Sequence, residues 1–193
     1  MSLTGAVLAG GASRRMGRDK ARIEIDGKTL LERNLDVLVP VCDELLVVAR
    51  EPERYADLAG DRARLVADRF DAGGALAGLH AAVEAAAADA CLVLAVDLPS
   101  VQPGLLSLIA DRVGEADALV PLVAGRFEPL CALYHKACLA PMVRQLERGG
   151  DFTILRFYDE VRLLALSEAE LRAVDPDLRS FVNVNRPEDL ERL

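Results

Sequence analysis

The sequence predicts a doubly wound α/β fold, a mostly parallel β-sheet with helices on both faces. Three observations carry that reading. Short, uninterrupted apolar runs recur along the chain, the pattern of strands buried on both sides. Helical stretches alternate with them, so successive strands are joined by crossovers. The 193 residues are 52% hydrophobic and 28% charged, which supplies a sizeable core and excludes both a disordered chain and a coiled coil. The length fits one domain spanning residues 1–193.

In order, residues 6–9, 45–49, 64–66 and 92–96 read as strands. Between them, residues 29–39, 53–58 and 76–88 read as helices. The last is alanine-rich and places Leu76, Leu79, Val83 and Ala87 on one face. Asp26-Gly27 marks a tight turn inside residues 23–30. The second half is less regular. Residues 103–112 and 141–148 read as helices, the latter stopped by Gly149-Gly150, and residues 118–121, 130–134, 161–165 and 181–184 read as strands. Ser167 and Glu170 form a capping box that opens a helix over 168–174.

Charge and cysteine usage narrow the function classes. The net charge of −8 argues against a nucleic-acid-binding groove, which needs a basic surface. The longest apolar run, residues 90–96, is far short of the roughly 20 residues that span a bilayer. With no basic leader followed by an apolar stretch, the expectation is a cytoplasmic protein without membrane contact. Cys42, Cys91, Cys131 and Cys138 are dispersed, with no CxxC and no paired histidine, so they read as reduced thiols and not as a zinc site. His80 and His135 have no nearby acidic partner, and no Gly-x-Ser-x-Gly occurs, so triad hydrolysis has no support.

The most informative stretch runs from Val7 to Lys20: Val-Leu-Ala-Gly-Gly-Ala-Ser-Arg-Arg-Met-Gly-Arg-Asp-Lys. A strand ends at Ala9 and enters a loop with three glycines and four basic side chains. This is a phosphate cradle. Glycines let backbone amides approach an anion, while Arg15 and Lys20 add charge and donors. It is neither GxGxxG nor GxxxxGK[ST]. A Gly-rich surface turn is the bland alternative, and the location at a first strand's carboxyl end disfavours it.

That loop resembles the signature of cofactor and sugar-phosphate nucleotidyltransferases. Gly10-Gly11 and Asp19-Lys20 narrow the resemblance to the molybdenum cofactor guanylyltransferase (MobA) family. Later segments agree: Val66-Ala67-Asp68 followed by Gly74-Ala75-Leu76-Ala77-Gly78, Leu94-Ala95-Val96-Asp97-Leu98-Pro99, Glu128-Pro129-Leu130, and Asn183-Val184-Asn185-Arg186-Pro187-Glu188-Asp189-Leu190. Ala75 stands where the family has proline, Val96 where it has cysteine, and Ala49-Arg50 where it has a polar residue near the base or ribose.

The resemblance implies a Rossmann-like fold of nucleotide-diphospho-sugar transferase type and transfer of GMP from GTP to molybdopterin, with pyrophosphate released. It implies Arg15, Lys20 and Asp97 as catalytic groups. Leu8, Ala9, Gly10, Gly11, Lys20, Asp68 and Asp97 would bind the nucleotide, and Asn183 and Asn185 the cofactor. Asp97 would hold Mg²⁺, as a carboxylate at a strand end suits a hard cation. GTP and molybdopterin are the implied substrates, and molybdoenzymes or other proteins of cofactor assembly the implied partners. Two alternatives stand beside this reading: a molybdopterin cytidylyltransferase or other nucleotidyltransferase, and a non-catalytic cofactor-binding chaperone. On base choice, the bare backbone at Gly10 is expected to admit the larger purine. Asn185 also reads as the N-cap of a last helix, and Asp68 as a loop acid in an ion pair.

Overall fold

The computed structural model describes residues 2–10, 19–70, 72–184 and 189. Among the described residues, ten strands and six helices follow in the order β1 (Thr4–Leu8), β2 (Glu24–Ile25), β3 (Lys28–Thr29), α1 (Leu30–Leu38), β4 (Glu44–Ala49), α2 (Ala56–Ala59), β5 (Arg64–Ala67), α3 (Ala75–Ala85), β6 (Ala90–Ala95), α4 (Pro103–Ala110), β7 (Ala118–Val123), β8 (Arg126–Phe127), β9 (Cys131–His135), α5 (Leu139–Arg148), β10 (Leu163–Leu166) and α6 (Glu168–Val174).

The main sheet runs β10-β7-β9-β6-β1-β4-β5, with β8 paired to β7 off this path. β1 pairs in parallel with both β4 and β6, and β4 in parallel with β5. The chain therefore winds outward from β1 through β4 to β5, then returns to lay β6 on the other side of β1. That reversal opens a crevice beyond the carboxyl ends of β1 and β6, where open α/β sheets bind ligands. β9 is antiparallel to β6 and to β7, so the sheet is mixed in its second half.

Alternation along the central strands divides the core into two layers. Val7, Val47, Leu92 and Leu94 face α1, α4 and α6. Ala6, Leu8, Leu46, Val48 and Val93 face α3 and α5. Burial on both sides is why these strands are apolar throughout, and the doubly wound expectation holds. A capping box between Thr29 and Glu32 starts α1, and the expected one between Ser167 and Glu170 starts α6. Asp26-Gly27 turns the β2–β3 hairpin with both residues at positive φ (52° and 76°).

Three expectations need correction. Residues 181–184 do not form a strand. The buried Asp175 carboxylate accepts the amides of Arg179 and Ser180 and winds Arg179–Phe181 into a 3₁₀ turn. The chain then reaches Val184, whose N–H donates to the Asp97 carbonyl at 2.9 Å. The helix expected over 53–58 is a 3₁₀ turn, Pro52–Tyr55, followed by the single turn α2. The strand expected at 161–165 is shifted to Leu163–Leu166, in register with β7. The four thiols are free, and no helix among the described residues is long and apolar enough to cross a membrane.

Candidate active site

The carboxyl ends of β1, β4, β5 and β6 open onto one cleft of about 710 Å³. Its walls include Leu8, Ala9, Gly10, Lys20, Asp68 and Asp97. These are all the described residues expected to bind the nucleotide. Gly11, Arg15 and Asn185 lie outside the described residues, as does the helix expected after Asn185.

β6 ends at Ala95, and several bonds fix the turn that carries Asp97. The Val96 N–H donates to the Leu8 carbonyl at 3.2 Å, prolonging the pairing with β1 by one step. The Val96 carbonyl accepts from the side-chain amide of the buried Asn34 at 3.2 Å, and the Pro99 carbonyl from Arg33 Nε at 3.3 Å. Val184 holds the Asp97 carbonyl from the opposite side. A carboxylate is thereby aimed into the cleft from an immobilised backbone. Lys20 Nζ meets it, 2.9 Å from Asp97 Oδ2, with the two side chains only 17% and 23% exposed. The two residues are 77 positions apart in sequence.

Lys20 opens a 3₁₀ turn, Lys20–Arg22, whose N-cap is Asp19; the Asp19 carboxylate accepts the Ala21 amide at 3.1 Å. Asp68 follows β5. Its N–H donates to the Ala49 carbonyl at 3.0 Å, and its carboxylate accepts the Phe70 amide, also at 3.0 Å. The helix expected over 76–88 runs from Ala75 to Ala85, and Gly74 before it has φ 53°. The first amides of this 11-residue helix border the cleft, where the positive end of the helix dipole favours phosphate.

Two expectations shift in place. A Cβ at Gly10 would lie 3.3 Å from Ala49 Cα, so this glycine serves the close approach of the β1 and β4 ends, and its missing side chain does not face the open cleft. Asn183 does not sit on a strand in alternation with Val182. It is exposed, beside the segment that Val184 pins to Asp97, while Val182 is also exposed. No group of three or more His, Cys, Asp or Glu side chains stands ready to hold a metal among the described residues.

Sequence reasoning missed Tyr55, Arg54 and Glu51, which also line the cleft. They lie on a turn that carries no motif, and only their position just after a buried strand could have flagged them. The two histidines keep the bland roles expected. His80 is buried edge-on against Phe70, which lowers its pKa by desolvation, and His135 caps the turn that follows β9.

Comparison with known proteins agrees with this frame. Residues 5–163 match the MobA-like NTP transferase domain. A molybdenum cofactor guanylyltransferase of Desulfosudis oleivorans is 38% identical, covering 99% of this chain and 94% of that one. A probable molybdenum cofactor guanylyltransferase of Chloroflexus aggregans is 35% identical, with 99% and 93% covered. Among solved structures, molybdopterin-guanine dinucleotide biosynthesis protein A of Archaeoglobus fulgidus superposes with a TM-score of 0.83 at 31% identity, covering 98% of this chain and 95% of that one. The mostly parallel sheet, the crevice at its switch point and the matched sequence together place the chain in the MobA-like NTP transferase family.

Proposed function

We propose that this protein is a nucleotidyltransferase that moves GMP from GTP onto molybdopterin, yielding the molybdopterin guanine dinucleotide and pyrophosphate. The observation that carries the reading is the Lys20–Asp97 pair at the switch point of the sheet, inside a cleft large enough for a nucleotide. The near full-length similarity to relatives named as guanylyltransferases supports the choice of substrates.

The reaction needs no protein nucleophile. A phosphate oxygen of molybdopterin attacks the α-phosphorus of GTP; the new P–O bond forms as the bond to the β-phosphate breaks, and pyrophosphate carries away the electron pair. Catalysis then consists of positioning and charge stabilisation. Lys20 neutralises phosphate charge from the β1 side of the cleft, with Arg15 assigned the same task from the loop. The amides at Gly10 and at the start of α3 orient the phosphates, and Asp68 contacts the nucleoside. Asn183 and Asn185 are assigned to the cofactor.

A Mg²⁺ ion fits the donor chemistry. Asp97 already holds a cation, the Lys20 ammonium, and Mg²⁺ is ordinarily bound by one or two carboxylates together with substrate phosphates. Asp97 would hold the ion, which when bound supplies Lewis-acid neutralisation of the phosphate oxygens. A panel of GTP, CTP, ATP and UTP in a thermal-shift assay with Mg²⁺ tests the base preference, since a ligand of the native state raises Tm. GTP should give the largest shift. A larger shift with CTP would move the assignment to a cytidylyltransferase.

A further inference from the structure

Tyr55 lies on the turn after β4, 6% exposed, with its ring in the cleft wall. Its hydroxyl stands 3.2 Å from the Ala9 carbonyl and 3.2 Å from Asp19 Oδ1. Ala9 follows the last residue of β1, and Asp19 immediately precedes Lys20. One proton therefore bridges two acceptors from opposite ends of the glycine-rich stretch. Asp19 Oδ1 is already engaged with the Ala21 amide that starts the turn bearing Lys20. Its other oxygen, Oδ2, is buried, accepts no hydrogen bond among the described residues, and has Arg54 Nη2 at 3.6 Å.

We propose that Tyr55 is a positioning residue: its hydroxyl fastens Asp19 to the end of β1 and thereby fixes where Lys20 stands opposite Asp97. The kinetic consequence rests on the nucleotidyl-transfer reading above; the structural one rests on the geometry alone. Without the hydroxyl, the Lys20–Arg22 turn keeps its Asp19 cap, the buried Ala21 and the Arg22–Asp57 pair but loses its tie to the end of β1, and the ammonium samples a wider volume. Burial pushes the phenol up to about 12, so the donor keeps its proton across any ordinary assay pH. A chemical role for Tyr55 as an acid or base is thereby disfavoured, and its effect should be independent of pH from 6 to 9.

The test is Tyr55→Phe, which keeps the ring and its packing. In the free protein, amide hydrogen exchange over residues 19–23 should accelerate about tenfold, the scale of one lost hydrogen bond, while exchange in β4 is unchanged. In transfer assays, Tyr55→Phe should lower kcat/KM about tenfold with Lys20 present and less than twofold in a Lys20→Ala background. A merely structural role would give the same factor in both backgrounds. Unchanged exchange at 19–23, or equal costs in the two backgrounds, would overturn the proposal. If wild type transfers no nucleotide yet the exchange difference is present, the fastening stands and the function reading fails.

Discussion

Lys20 and Asp97 are paired to one another, yet the proposed reaction requires each to face a different partner, phosphate and metal. The pair should therefore act as a competitor of metal binding until nucleotide draws the ammonium away. Unit charges 2.9 Å apart attract by about 6 kcal/mol at an effective dielectric of about 20. Solvation of two partly exposed groups cancels much of this, and hydrogen bonds to charged groups retain about 1.5–3 kcal/mol net. Lys20→Met removes the ammonium while keeping an unbranched apolar stem. Free Asp97 should then bind divalent metal about 10- to 100-fold more tightly in the absence of nucleotide, while turnover falls by about 10²–10³. Calorimetric titration with Mn²⁺ measures the first effect, and pyrophosphate release the second. If Lys20→Met binds Mn²⁺ no better than wild type without nucleotide, the competition argument is wrong.

Asp97→Asn keeps size and one oxygen but loses the charge that holds a hard cation, so the Mg²⁺ concentration for half-maximal rate should rise steeply while metal-free nucleotide binding changes little. Equal Mg²⁺ titration curves for the two proteins would reassign Asp97 to a structural role. Gly10→Ala presses a methyl on the β4 backbone and should destabilise by about 1–3 kcal/mol, read as a lower Tm, with GTP and CTP affected alike. A change in the GTP/CTP ratio of kcat/KM would restore Gly10 to base selection. The Thr29 hydroxyl, with the Thr29 amide, holds the Glu32 carboxyl below its ordinary value. Its contribution is present above the unfolded carboxyl pKa and is lost as pH falls through the lowered folded value. Acid denaturation of Glu32→Gln should accordingly lack this component, and identical acid transitions in the two proteins would show that the cap contributes nothing.

How far the sequence could be read follows from where each signal comes from. β1, β4 and β6 announce themselves because burial on both faces demands apolar runs, and Asp97 stands just past the end of β6; β5, at the sheet edge with Arg64 and Ala67 exposed, is marked only by Leu65-Val66 ahead of Asp68, and Lys20 by the glycine-rich loop. The antiparallel insertion of β9 between β6 and β7 left no mark, because a central strand reads alike in either direction. The segment after Asp175 looked like a strand because Phe181, Val182 and Val184 are apolar; a buried carboxylate that collects two amides, Arg179 and Ser180, decides otherwise. The Lys20–Asp97 contact was legible only as two separate motifs, since no spacing rule links residues 77 positions apart. Asn34 acts through backbone carbonyls, and Tyr55 through one carbonyl and a carboxylate 36 positions away; such partners have no signature in a sequence.

Purified protein supplied with GTP, Mg²⁺ and molybdopterin should release pyrophosphate in step with formation of a guanine dinucleotide of the cofactor, one for one, with no pyrophosphate released when molybdopterin is withheld. Pyrophosphate release that ignores molybdopterin, or CTP consumed in preference to GTP in the same mixture, would contradict the account.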